Sequence, residues 1–127
     1  MIVIDTSVLM AIVLDEPRAG DCIAALEAEN EFLISAGTLA EALVVSARRN
    51  VGTTMAALIQ RLDPDIISLT PAAARRIGET YEKWGRGMHP AGLNFGDCFA
   101  YEVAKEHGCR LLYVGEDFAK TDIAGVL

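Results

Sequence analysis

Met1-Ile2-Val3-Ile4-Asp5-Thr6-Ser7 opens the chain with an unbroken apolar run that stops at an acid and two hydroxyls. Four apolar residues in a row, without alternation, read as a strand covered on both faces, as in a parallel sheet. Three further runs have the same character: Phe32–Ile34, Ile66–Leu69 and Leu111–Val114. Helical patterns lie between them. Thr6–Leu14 and Ala19–Ala28 read as two helices separated near Pro17. Met55, Leu58, Ile59 and Leu62 recur at helix spacing, and so do Ala74, Ile77, Tyr81 and Trp84. The second of these patterns opens on Thr70-Pro71, an N-cap followed by proline at the first helical position. Phe99, Ala100, Val103, Ala104 and His107 form another stripe, closed by Gly108 as a C-cap. Gly85–Asn94, with three glycines and a proline, reads as a loop. Strands alternating with helices imply right-handed crossovers and a central parallel sheet flanked by helices, a three-layer α/β/α architecture.

A length of 127 residues fits one domain spanning 1–127. The hydrophobic fraction of 52% supports a core that needs no covalent staples. No apolar run approaches the roughly 20 residues needed to span a bilayer. The opening has no basic lead, and Asp5 interrupts its apolar run at once, so no signal peptide is expected and the cytoplasm is the expected compartment. Cys22, Cys98 and Cys109 are odd in number and lack metal-ligand spacing, and each is expected to be a small buried thiol.

The net charge of −7 runs against tight non-specific RNA binding, because phosphate binding favours a basic surface. Cations bound among the acids would change the local sign. The basic residues are partly clustered at Arg48-Arg49, Arg75-Arg76, and from Lys83 through Arg86 to His89. An acidic balance also suits a basic protein partner.

The placement of the acids carries the chemistry. Asp5 follows the first strand, Glu41 lies early in the helix after the second, and Asp97 sits in the opening turn of the Phe99 helix. Asp117 lies just beyond the last strand. In open α/β sheets ligands bind outside the carboxyl ends of the strands, where strand order reverses. Asp5, Glu41 and Asp117 are placed to reach that edge, and Asp97 joins them if its helix starts there. Two carboxylates about 4 Å apart repel by roughly 4 kcal/mol at an effective dielectric near 20. A group of them therefore calls for raised pKa values or a cation. All-oxygen ligation suits Mg²⁺ or Mn²⁺, which can activate water against a phosphodiester. Each residue also has a plainer use. Asp5 can cap a helix, Asp97 can oppose a helix dipole, and Glu41 can be a solvated helix residue. His89 is expected to be exposed and His107 to complete a helix face.

Ile4-Asp5-Thr6-Ser7 after a strand, Ala40-Glu41 in the third helix, Asn94-Phe95-Gly96-Asp97-Cys98 opening a later helix, and Gly115-Glu116-Asp117-Phe118 followed by Thr121-Asp122 resemble the PIN-domain nucleases. More narrowly, they are similar to VapC-type toxins of bacterial toxin–antitoxin pairs. The resemblance runs from Met1 to about Ile123 and implies a metal-dependent endoribonuclease cutting tRNA or ribosomal RNA. It implies Asp5 and Asp97 as the principal Mg²⁺ (or Mn²⁺) ligands, with Glu41 completing the site or acting through water. Asp117 would be the fourth acid, and Ser7 or Thr6 would hydrogen-bond to a ligand carboxylate or to substrate. It further implies a homodimer and a cognate VapB-type antitoxin. Glu116 stands where the family often has asparagine or aspartate, which leaves Glu116, Asp117 and Asp122 as alternatives for the acid that faces the metal. The alternative function is a PIN-like module that binds RNA or a partner without cutting. Receiver domains and haloacid-dehalogenase-type phosphatases fit less well, because neither the acid after the third strand nor the second acid after the first is present.

Overall fold

The computed structural model describes residues 1–127. Strands β1 (Ile2–Ile4), β2 (Phe32–Ser35), β3 (Asp65–Ile67) and β4 (Arg110–Leu112) form one sheet. Helices α1 (Thr6–Val13) and α2 (Ala19–Glu27) join β1 to β2, while α3 (Ala36–Arg48) and α4 (Gly52–Leu62) join β2 to β3. Helices α5 (Pro71–Trp84) and α6 (Phe95–His107) join β3 to β4. The strand order is β3-β2-β1-β4, and every pairing is parallel. Successive connections move outward from β1 to β3, and the chain then returns to lay β4 on the other side of β1. Strand order therefore reverses between β1 and β4, which is where such sheets bind ligands.

Side-chain alternation along the strands divides the interior in two. Ile2 and Ile4 of β1, Ile34 of β2 and Leu112 of β4 face the layer of α1 to α4, packing with Val8, Leu9 and Met55. Val3, Leu33 and Leu111 face α5 and α6, with Ile77, Val103 and Ala104. The three residues of β1 are fully buried, as the unbroken apolar run requires of a central strand. No helix is long and apolar enough to cross a membrane.

Local chemistry sets the helix ends. Asp5, Ser35 and Thr70 each cap a helix with a side-chain oxygen, and Pro71 occupies the first turn of α5. Asn94 and Asp97 form a reciprocal capping box on α6, and Gly108 ends that helix at φ +61°.

Several sequence expectations shift. The third strand is Asp65–Ile67 rather than Ile66–Leu69, and it is an edge strand with Ile66 exposed instead of covered on both faces. Its apolar content misled because β3 pairs on one side only, with β2, and Ile66 at that edge is left 53% exposed. Cys22 and Cys98 are buried, but Cys109 is only half-buried, in the turn between α6 and β4. His107 is exposed at the end of α6 rather than part of its packed face. His89 is not simply exposed, since its ring meets the Trp84 ring edge-on with centroids 4.6 Å apart and its Nδ1 accepts from the Ala91 N–H. The loop around it is pinned: Arg86 N–H donates to the Leu93 carbonyl at 2.9 Å, Leu93 N–H donates to the Trp84 carbonyl at 3.0 Å, and Leu93 is fully buried.

The two faces of this reading differ in energetic weight. Ile34→Ala, at a position 1% exposed, is expected to cost about 2–5 kcal/mol in denaturant unfolding. Ile66→Ala, at a position 53% exposed, should change stability by less than about 1 kcal/mol. Similar losses at both would contradict the assignment of β3 as an open edge.

Candidate active site

Asp5 ends β1 and caps α1, and its carboxylate is turned inward. Its Oδ2 accepts from the Ser7 N–H at 3.1 Å and from the Ser7 hydroxyl at 2.6 Å. Ser7 Oγ in turn accepts from the Val114 N–H at 3.0 Å. One hydroxyl thus ties the end of β1 to the chain leaving β4. Asp5 is 3% exposed and is paired with no cation. Burial pushes its pKa up to about 7 against the lowering hydrogen bonds from Ser7, and the nearby charges of Asp97 and Glu41 push the same way.

Asp97 reaches this edge because α6 runs directly into β4. A helix of 13 residues that ends beside the start of a strand begins about 20 Å away, which brings its first turn to the carboxyl edge of the sheet. The capping box fixes the side chain there: Asp97 Oδ2 accepts from the Asn94 N–H at 2.9 Å, while Asp97 N–H donates to Asn94 Oδ1 at 2.8 Å. Burial raises the Asp97 pKa to about 6, opposed by the Asn94 N–H. The charges of Asp117 and Glu41 add to the rise, and that of Arg86 opposes it.

Glu41 projects from α3 toward the start of α6. Thr6 Oγ1, at the start of α1, donates to its Oε1 at 2.6 Å. On its other side lies Gly96, where a Cβ would collide with the Glu41 carboxylate. The same two helices meet a second time at Gly37, where a Cβ would stand 2.6 Å from the Phe99 ring. Two glycines therefore let α3 and α6 approach closely enough to bring Glu41 beside Asp97.

Asp117 stands at the start of the single 3-10 turn Phe118–Lys120, exposed, with its charge acting on Asp97. Asp122 turns elsewhere. It accepts from the Tyr101 hydroxyl at 2.5 Å and from Lys105 Nζ at 3.0 Å, while Trp84 Nε1 donates to the same Tyr101 oxygen. Burial works to raise its pKa, but those two donors outweigh it and hold the carboxyl below its ordinary range. Among the alternatives after β4, the geometry thus associates Asp117 with the other acids and gives Asp122 a structural partner set.

Asp5, Glu41, Asp97 and Asp117 share an electrostatic field, yet no three acids, histidines or cysteines are gathered tightly enough to enclose an ion. The donors these residues offer are all carboxylate oxygens, the ligand type that Mg²⁺ takes. Mg²⁺ is bound through one or two carboxylates and keeps several waters. Asp5 and Asp97 each spend one oxygen on local hydrogen bonds and retain the other. A buried, unpaired carboxylate with a raised pKa beside further acids, all hard oxygen donors, fits such an ion.

The sequence showed these acids but not how they are held. The Ser7 bridge to Val114 and the Arg86 charge near Asp97 depend on contacts between distant segments. Gly96 and Gly37 were visible as glycines, but their purpose appears only when the opposing side chain is known.

The PIN-domain family model matches residues 2–124. Ribonuclease VapC30 of Mycobacterium tuberculosis is 42% identical over 127 residues, covering 98% of this chain and 97% of that protein. Among solved structures, M. tuberculosis VapC20, titled a sarcin–ricin loop cleaving toxin, aligns with a TM-score of 0.81 at 19% identity, over 99% of this chain and 98% of that one. A toxin–antitoxin complex from Klebsiella pneumoniae aligns with a TM-score of 0.71 at 21% identity, over 96% and 93%.

Two outcomes follow from the site itself. Raised carboxyl pKa values mean that the folded protein holds protons the unfolded chain releases, so their stabilising contribution is complete below about pH 4 and is lost as pH rises toward 7. With EDTA present, the melting temperature is expected to fall between pH 5 and 8, and Asp5→Asn should flatten that slope; a rising profile would contradict the burial described. Gly96→Ala should lower the melting temperature by several degrees through its clash with Glu41, and adding Glu41→Ala should recover most of the loss. Purely additive effects would show that the clash is not the cause.

Proposed function

The chain belongs to the PIN-domain family, alongside the VapC ribonucleases, and from that premise we propose that it is a divalent-metal-dependent endoribonuclease, the toxin of a VapBC-type pair. The observation that carries this reading is the buried, cation-free Asp5 carboxylate sharing its field with Asp97 and Glu41 at the point where strand order reverses. An uncompensated acid at that depth costs stability, and such costs concentrate at functional sites.

On this reading Asp5 and Asp97 would be the residues that hold Mg²⁺ or Mn²⁺, each having one carboxylate oxygen not engaged in its local hydrogen bond. When bound, the ion supplies a water of lowered pKa and neutralises charge at the phosphodiester. Ser7 orients Asp5, and the Asn94 N–H orients Asp97. Glu41 is held at Oε1 by the Thr6 hydroxyl, with Oε2 against Gly96, and would add a third carboxylate to the site. Asp117 stands on the β4 side, at the open rim, as a fourth acid. The capping-box bond and the Ser7 bond keep both principal carboxylates in place before substrate arrives, which lowers the reorganisation needed at the moment of reaction.

The partners follow the same family. A VapB-type antitoxin with basic residues suits the acid-lined edge of a chain whose net charge is −7. The substrate is RNA, with tRNA or ribosomal RNA the expected class, encountered in the cytoplasm, and the protein is expected to work as a homodimer.

Purified protein should cleave a tRNA and ribosomal RNA pool with Mg²⁺ or Mn²⁺ and leave 5′-phosphate and 3′-hydroxyl ends. Cleavage should vanish in EDTA. Asp97→Asn should lower the rate at least 100-fold while the circular dichroism spectrum is retained. Undiminished cutting by that variant, or in EDTA, would sink the metal mechanism. Binding of the intact pool without any cutting would favour the module that only grips RNA. Mg²⁺ should also raise the melting temperature more at pH 8 than at pH 5, since the ion competes with protons for Asp5 and Asp97.

A further inference from the structure

We propose that Phe95, with Tyr81 and Arg86, forms a subsite for one unpaired RNA base and an adjoining phosphate next to the bond being cut. This rests on the ribonuclease reading above and names a recognition element for it.

Phe95 is the first residue of α6 and is 70% exposed, the most exposed of the large apolar side chains. Its ring meets Phe99 edge-on, with centroids 4.7 Å apart, which fixes its orientation without covering it. It stands on a ridge between two hollows. One contains Glu41 and Gly96. The other, of about 560 Å³, lies between α5 and the start of α6 and is lined by Ile77, Tyr81, Arg86, Phe95 and Cys98 among others. Asp97 is two residues further on, within one helical turn. Phe95 thus shares one hollow with Glu41, and Arg86 in the other acts on Asp97 by its charge, so ring and guanidinium both stand beside the acids.

The second hollow carries the chemistry of single-stranded nucleic acid. Aromatic faces accept any base by stacking, and a guanidinium pairs with phosphate oxygens. Arg86 takes part in no ion pair, although its charge is felt at Asp97. Arg76, on the neighbouring helix, is by contrast committed to Glu102 and Glu106. The Arg86 backbone is held at both ends, its N–H by the Leu93 carbonyl at 2.9 Å and its carbonyl by the Tyr81 hydroxyl at 3.1 Å. Gly85 makes this turn possible, since a Cβ there would lie 2.7 Å from the Tyr81 ring. The cation is thus anchored at its root and free at its tip, on an edge otherwise dominated by acids. An apolar partner helix would gain nothing from an unpaired arginine there, whereas a phosphate would.

The test compares wild type with Phe95→Ala and Phe95→Trp. Cleavage sites are first mapped on RNA, and if none is cut an arbitrary single-stranded oligoribonucleotide labelled at its centre takes the place of the site-spanning one. A short oligoribonucleotide spanning one site then carries 2-aminopurine beside the cut position, and a second lacks that base. Binding is followed by fluorescence with Ca²⁺ in place of Mg²⁺. Phe95→Ala is expected to bind the labelled RNA about five-fold to 100-fold more weakly, while Phe95→Trp keeps wild-type affinity and quenching. On the abasic RNA, wild type and Phe95→Ala should bind alike, a non-additivity that general misfolding would not give. Arg86→Gln should weaken binding of both RNAs and flatten its salt dependence. Equal affinity of wild type and Phe95→Ala for the labelled RNA overturns the proposal. So does a Phe95→Ala variant whose dimer dissociates in sedimentation while its RNA affinity is unchanged, which would assign the ring to a second copy of the chain. A wild type that shows the base-dependent loss with Ca²⁺ yet cuts nothing with Mg²⁺ supports the subsite and overturns the nuclease reading alone.

Discussion

The close approach of α3 and α6 is the constraint on which the site depends. The two helices belong to different crossovers and meet where a glycine of one faces a side chain of the other, Gly37 under the Phe99 ring and Gly96 against Glu41. Helices separated by ordinary side chains keep their axes 8–10 Å apart. Omitting the side chain at both contacts lets the Glu41 carboxylate reach the first turn of α6. Thr6 completes the arrangement from α1, so that the openings of α1 and α6 and the body of α3 converge on one carboxylate. The remaining acids are positioned from there, with Asp97 one residue beyond Gly96 and Asp5 one residue before Thr6.

Gathering like charges conflicts with folding, and the structure distributes that conflict instead of removing it. Asp5 is the most deeply buried of the acids and carries the larger rise in pKa, while Asp97 is half-buried and carries a smaller one. The Ser7 N–H and the Asn94 N–H each stabilise the charged form with one local contact, and the Ser7 hydroxyl adds a second to Asp5. Those contacts are also helix caps, so groups that α1 and α6 must satisfy in any case serve to aim the carboxylates. The cost is a pair of carboxyls that hold protons at pH values where the unfolded chain would release them. A cation-binding site has that character, because the ion supplies the compensation that the protein lacks.

Away from the acids, polar contacts serve rigidity. Trp84, Tyr101, Asp122 and Lys105 form a chain of hydrogen bonds that locks α5, α6 and the C-terminal segment together. That use of Asp122 explains why one acid of the Thr121-Asp122 pair lies outside the carboxylate group even though its sequence position suits it. The glycine-rich turn between α5 and α6 is similarly fixed, through Leu93 and His89, so Arg86 is presented from a rigid base rather than from a floppy loop.

The sequence by itself determined the strands and most helix ends, because these depend on interactions a few residues apart: the unbroken run at Ile2–Ile4, the Thr70-Pro71 start of α5, the Gly108 stop of α6. It also singled out Asp5 and Asp117 after strands, Asp97 in an opening helical turn and Glu41 within the helix after the second strand. It misplaced β3 by one to two residues and read Ile66 as buried, because coverage of an edge depends on what packs there and not on the edge itself. Tertiary structure alone decided which acids share a field, which of them an ordinary hydrogen bond removes, and where an aromatic ring and an unpaired arginine come to lie beside them. Those outcomes rest on contacts between residues distant in the chain, such as Thr6 with Glu41 and Ser7 with Val114, whose sequence separations are 35 and 107. Such contacts form only once the sheet has set the distance between its crossovers.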